Sequence, residues 1–78
     1  MKAEEMFKDC GWEKQEDRLA YWKDDECIAF LQTFRTIHFF VAKEDGKIFT
    51  DYICAIGAHE LLAIVKQCIE LGWMGETE

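Results

Sequence analysis

Hydrophobic positions along the chain change period twice. Near the start, Ala3, Met6, Phe7 and Cys10 recur at i, i+3, i+4 and i+7, which predicts a short helix over 2–10. Gly11 follows the last periodic residue, where a helix is expected to stop. Residues 12–16 form a weak strand candidate, and Asp17-Arg18 turns the chain into a second run at 19–22, where Tyr21 and Trp22 favour β structure. Lys23-Asp24-Asp25-Glu26 is a polar turn. Cys27 to Phe34 reads as a third strand, apolar on both faces at Ile28, Ala29, Phe30 and Leu31. Thr36 to Ala42 is the most regular strand, and the Asp45-Gly46 pair after it predicts a tight hairpin. Ile48 to Ala55 returns antiparallel, with Ile48, Thr50, Tyr52 and Cys54 on one face and Phe49, Asp51, Ile53 and Ala55 on the other. The period then lengthens again over 58–71. Leu61, Ile64, Val65, Cys68 and Leu71 line one helix face, flanked by Leu62 and Ile69. Gly57 serves as N-cap, Glu60 sits in the first turn and Gly72 ends the helix. Trp73 and Met74 are expected to fold back onto the sheet, with 75–78 frayed.

The predicted order is α-β-β-β-β-α: an antiparallel sheet of four or five strands with an N-terminal and a C-terminal helix on one face, a two-layer α+β fold. Residues 1–78 read as a single domain. Half the residues are apolar, enough for one core and too many for a disordered chain. A domain of this size buries only about 60% of its unfolded surface, so its stability is modest. There is no proline and no internal repeat. No apolar run reaches the ~20 residues of a membrane span, and acids at Glu4 and Glu5 interrupt any signal-peptide pattern. The expected compartment is the cytoplasm.

Charge narrows the choice of partner. Sixteen acids face nine bases, a net charge of -7. Direct nucleic-acid binding and adhesion to anionic membranes both need the opposite balance, so the expected partner is a basic protein. Residues 9–26 carry seven acids against Lys14, Arg18 and Lys23, and so account for -4 of the total. Alternate residues on one strand face stand ~6.6 Å apart, a spacing on the scale of successive phosphates. The candidate contact set is therefore Glu13, Glu16, Asp17, Asp24, Asp25 and Glu26, with Trp12 or Trp22 as an aromatic anchor. The alternative is that these acids solvate an exposed edge and discourage strand-to-strand aggregation. Trp12, Tyr21, Trp22 and Trp73 together exceed what so small a core easily buries and so signal an interface; the alternative is that Trp22 and Trp73 fill the core and only their indole edges show. The sheet face left bare by the helices would then suit a homodimer.

Candidate chemistry is sparse. Cys10, Cys27, Cys54 and Cys68 are spaced by 17, 27 and 14, which matches no paired zinc-ligand or redox pattern. They read as buried thiols, although a cysteine-based metal or redox sensor is the alternative in a different class. His38 and Cys54 could face each other across the last hairpin, but His38 reads as a hydrogen-bonded sheet residue. With no serine in the chain a serine triad is impossible, and a Cys–His pair oriented by His59-Glu60 lacks the electropositive setting that a reactive thiol needs. The acids at 24–26 lack EF-hand spacing. The expectation is a non-enzymatic protein with no cofactor and no metal.

Two segments resemble known proteins. Ala3-Glu4-Glu5-Met6-Phe7-Lys8-Asp9-Cys10-Gly11-Trp12 resembles the "AEEMFKxLGY" opening of small acidic proteins encoded in phages and prophages of Gram-positive bacteria, and His59 to Trp73 resembles their closing helix, "EELxAIxKQCEELGW". The match covers both helices, about a third of the chain. Gly57-Ala58-His59 departs from the Ser or Thr cap commoner there. The resemblance implies a phage origin. By analogy with the class, which includes anti-CRISPR proteins and other inhibitors of host defence, it implies an inhibitor or modulator of a host protein.

Overall fold

The computed structural model describes residues 1–42, 48–50 and 55–74. Its two helices, α1 (Ala3–Asp9) and α2 (Ala58–Glu70), begin and end by the same local chemistry. Each begins with a glutamate at its third position bent back to the N-cap: Glu5 Oε1 accepts the Lys2 backbone N–H at 2.8 Å, and Glu60 Oε1 accepts that of Gly57 at 2.7 Å. The carboxylate satisfies an orphan donor and lies at the positive end of the helix dipole. Each helix is closed by a Gly-Trp pair. Gly11 and Gly72 have φ of 93° and 79°, a region where a side chain is strained. The N–H groups of Gly11 and Trp12 donate to the carbonyls of Lys8 and Phe7, and those of Gly72 and Trp73 donate to Ile69 and Cys68. This paired closure reverses the chain, turning Trp12 back onto its own helix and Trp73 onto the sheet. Trp12 meets Phe7 edge-on at 6.4 Å, and Trp73 meets Phe30 at 6.1 Å.

A Cβ built on Gly72 would meet nothing within 4 Å, so Gly72→Ala carries a backbone cost alone. The expected loss is about 1 kcal/mol, lowering the melting temperature by about 4–8 °C. Gly72→Asn should lose less, because Asn tolerates the left-handed conformation. Equal melting temperatures for all three would show that the helix ends in some other way.

The strands are β1 (Glu13–Lys14), β2 (Ala20–Lys23), β3 (Glu26–Leu31), β4 (Thr36–Ala42) and β5 (Ile48–Thr50), in spatial order β1-β2-β3-β4-β5 and all antiparallel. Lys23 pairs with Glu26, so Asp24-Asp25 is a two-residue hairpin loop. Asp24 takes the positive φ (56°), which aspartate tolerates better than most residues. The sequence reading carried the third strand to Phe34, but it ends at Leu31. Leu31 pairs with Thr36, and the chain reverses over the four residues between them, leaving Phe34 exposed at the loop. The first strand is likewise shorter than 12–16. The predicted hairpin at 43–47 and the end of the last strand at 51–54 lie outside the described residues, and Ala55 is not in a strand.

Strand alternation and register divide the sheet into two faces. Tyr21, Ile28 and Phe39 form one cross-strand row, and Phe30 and Ile37 another, on the inner face. Trp22, Cys27 and Phe40 form a row on the outer face, beside Ala20, Ala29 and His38. Both helices cover the inner face. Phe7 from α1 and Ala63, Ile64 and Cys68 from α2 join Trp12, Tyr21, Ile28 and Phe30 in one core. The ring of Phe7 stacks on Tyr21 at 3.9 Å, and Phe30 meets both rings edge-on. The Ala3 N–H at the start of α1 donates to Glu70 Oε2 at the end of α2, while Cys10 and His59 share one cavity at the other end, so the helices run antiparallel.

The aromatics are distributed differently from the sequence reading. Trp12 and Tyr21 are the buried pair, and Trp22 and Trp73 are half-buried. Leu61 also departs from expectation. It is 56% exposed, because the sheet takes the Ile64, Gln67 and Cys68 side of α2 and leaves Leu61 beyond it. No helix among the described residues is long and apolar enough to cross a membrane.

Candidate interaction surfaces

The hairpin geometry splits the acidic set. Glu16 and Asp17 lie in the loop that leads into β2, and Asp24 and Asp25 lie in the loop that leaves it. The four-residue strand between these loops is about 13 Å long. Glu13 pairs with Trp22 and so joins Asp24 and Asp25 at one end, on the outer face. Glu26 is half-buried and pairs with Lys23 on the inner side. The six carboxylates predicted as one track therefore form two poles, with Glu26 turned away from both. Glu13, Glu16, Asp17, Asp24 and Asp25 are all exposed.

Lys23, the base that precedes the Asp24-Asp25 loop in the chain, is occupied elsewhere. Lys23 Nζ lies 3.7 Å from Glu60 Oε2 on the inner side, and 6.0 Å from the centre of the Trp12 ring. The ammonium is thus drawn toward α2, leaving the loop acids without an ion pair among the described residues. At the other pole, Asp17 Oδ1 accepts from Gln15 Nε2, and Gln15 Oε1 accepts from Trp22 Nε1 at 2.9 Å. This relay holds the Trp22 indole near the sheet edge on the outer face. Trp12 cannot act as the anchor. It is 3% exposed, and its indole N–H donates to Glu60 Oε2 at 2.6 Å.

Glu60 lies in the first turn of α2, as its sequence position predicts, and its carboxylate is turned away from His59 because successive helix residues point apart. It joins three elements: the start of α2 through Gly57, the end of α1 through Trp12, and β2 through Lys23. Burial pushes its carboxyl up, but the Gly57 N–H, the Trp12 indole and the Lys23 ammonium outweigh that and hold it below the usual range. A second buried polar contact pins α2 to the sheet. The Tyr21 hydroxyl donates to Gln67 Oε1 at 2.5 Å. Burial, aided by Glu4 and Glu70, pushes that phenol up to about 12, so it remains a donor at neutral pH.

The thiols point to packing. Cys27 and Cys68 are buried free cysteines, and burial raises both, Cys27 to about 11. A thiol so raised carries little thiolate at neutral pH and is a weak nucleophile. Cys54 lies outside the described residues, and with it the proposed facing of His38 and Cys54. His38 shares a hydrogen bond with Thr36 Oγ1 at 3.0 Å and stacks on Phe40. Among the described residues, no three His, Cys, Asp or Glu side chains are grouped to hold a metal ion.

The helical layer holds features that the strand-centred reading missed. Met1, Met6, Asp9, Cys10, His59 and Leu62 line a cavity of about 280 Å³ where α1 meets α2. Leu61, Leu62 and Ile69 are each at least half exposed along α2. The signal was present in the sequence: α2 carries more apolar residues than one core-facing stripe of a helix can use.

Comparison with known protein families, curated proteins and solved structures finds no match.

Proposed function

We propose that this protein is a non-enzymatic acidic interaction module, phage-encoded, that inhibits or modulates a basic, nucleic-acid-binding protein in the host cytoplasm. One observation carries the reading. Glu13, Asp24 and Asp25 converge on one end of the sheet, exposed and without an ion pair among the described residues, in a chain whose net charge is -7. Carboxylates left in this state steer a cationic partner and compete with phosphate for it. The alternative role of such acids, protecting an edge strand, fits Glu13 on β1 but explains less at Asp24 and Asp25. The Asp24-Asp25 loop joins β2 and β3, which are interior strands of the sheet.

The test is capture of nucleic-acid-binding proteins from nuclease-treated host lysate, at low and at high salt, with duplex DNA as competitor. Capture should weaken as salt rises and should be displaced by the duplex. The double variant Asp24→Asn, Asp25→Lys keeps a residue suited to positive φ at 24 and changes the loop charge from -2 to +1. It should lose about tenfold in affinity at low salt and show a flatter salt dependence. Capture that is indifferent to salt, to DNA and to this variant would remove the proposal.

A further inference from the structure

We infer that the outer surface of α1 and α2 is a docking groove for a cationic amphipathic helix, with the methionine-lined cavity receiving one long side chain from it. The inference rests on the reading of a basic partner above, and adds where and how that partner is held. Helix α2 carries two apolar stripes. Ile64 and Cys68, with Gln67, face the core, whereas Leu62, Val65 and Ile69, at i, i+3 and i+7, form a second seam on the outer side with Leu61 beside it. One stripe is enough to seat a surface helix, so the second has no use within the described fold. Its spacing is that of a seam that packs against another helix. Leu62 belongs both to this seam and to the cavity wall, so seam and cavity are continuous.

The cavity indicates what the visitor carries. At about 280 Å³ it lies below the usual range for a small-molecule site and suits a single side chain. Met1 and Met6 form adaptable apolar walls, and Asp9 places a carboxylate on the lining. A lining of Met1, Met6, Cys10 and Leu62 with the Asp9 carboxylate and the His59 ring at its polar side accommodates the aliphatic stem and charged head of lysine or arginine. The charge of the whole chain agrees: its net value is -7, and Asp9 stands on the cavity wall. A second copy of this chain would bring the same excess of acids to the contact, and an anionic membrane is repelled for the same reason.

The probe is a synthetic 18-residue peptide of Leu and Lys patterned as an amphipathic helix, titrated into the isotope-labelled protein and followed by amide chemical shifts. Two controls accompany it: the same composition in a non-amphipathic order, and a Leu/Glu version. The amphipathic Lys peptide should shift signals at 1–11 and 59–70 and bind at least tenfold more tightly than either control. Leu62→Glu should weaken it at least tenfold. Asp9→Asn should weaken it severalfold and flatten its salt dependence. Leu62 and Asp9 are exposed, so unchanged melting curves verify that both variants fold. Shifts confined to 13–26 and insensitive to Leu62→Glu would overturn the groove while leaving the proposed function intact. Equal binding of the scrambled Lys peptide or of the Glu peptide would also overturn it. So would a concentration-dependent dimer in sedimentation that Leu62→Glu abolishes, since the occupant would then be a second copy. Groove binding with the predicted variant effects, alongside failure of the lysate test, would sustain the groove and refute the host-protein reading.

Discussion

Phe7→Ala is expected to leave much of the protein unfolded at room temperature. The Phe7 ring is fully buried, stacks on Tyr21 at 3.9 Å, and meets Trp12 and Phe30 edge-on. Removing a buried phenylalanine ring costs about 3–5 kcal/mol, the lost transfer energy plus the cavity left behind. A 78-residue chain has a total stability on the order of 4–12 kcal/mol, and small domains lie toward the lower end because they bury a smaller fraction of their surface. The loss is therefore comparable with the whole. Urea denaturation followed by tryptophan fluorescence measures it directly. Phe7→Leu, which keeps most of the volume, should cost about 1.5 kcal/mol or less. A Phe7→Ala protein with a midpoint close to that of the parent would show that the four-ring cluster is not the centre of stability.

Glu60→Ala should have the second largest effect, about 2–4 kcal/mol. It removes the acceptor of the Gly57 N–H at the start of α2, which costs about 1 kcal/mol as a lost cap. It also leaves the buried Trp12 indole N–H unpaired, at about 1–3 kcal/mol. Lys23 loses its counter-charge as well. Glu60→Gln removes the charge and one of the two acceptor oxygens, so its amide oxygen keeps either the indole N–H or the Gly57 N–H but not both. The carboxyl is held below its usual value in the folded protein, so its charge adds stability above the unfolded value of 4.5. That contribution disappears as pH falls through the folded-state value. The difference in stability between the parent and Glu60→Gln should accordingly be full near neutral pH and shrink below about pH 4.5. A difference that stays constant down to strongly acidic pH would show that the charge contributes nothing.

Much of the architecture was legible because its determinants are local. The 3.6-residue period of Ala3, Met6, Phe7 and Cys10 needs only a helix and one apolar neighbour to explain it. Gly11 and Gly72 announce helix ends because few other residues accept their φ. Lys23-Asp24-Asp25-Glu26 announces a turn by composition alone. The errors fall where a distant partner decides. Leu61 satisfies the apolar pattern of α2 and yet faces outward, because its burial depends on where the sheet ends. The third strand was read through to Phe34, because a run of β-favouring residues does not show where its neighbour turns back.

The acidic site divides in the same manner. Its residues and its net charge could be listed from the chain, since charge is additive and needs no coordinates. Their convergence could not. Glu16 and Asp17 are close in sequence to Glu13, but antiparallel pairing carries Glu13 to the far end of β2, beside Asp24 and Asp25. Pairing of strands also turned Glu26 toward the helix side, and the ion pair that takes Lys23 away from the loop joins residues 37 positions apart.

Residue identity and near-neighbour spacing set the order of elements, the two helix terminations, the acidic balance and the lack of serine in the sequence. Tertiary structure alone decided which tryptophans are buried, where Glu60 spends its carboxylate, how the loop acids group and which face of α2 stays bare. These depend on contacts between residues tens of positions apart, and side-chain pairing at that range is invisible until the chain has folded.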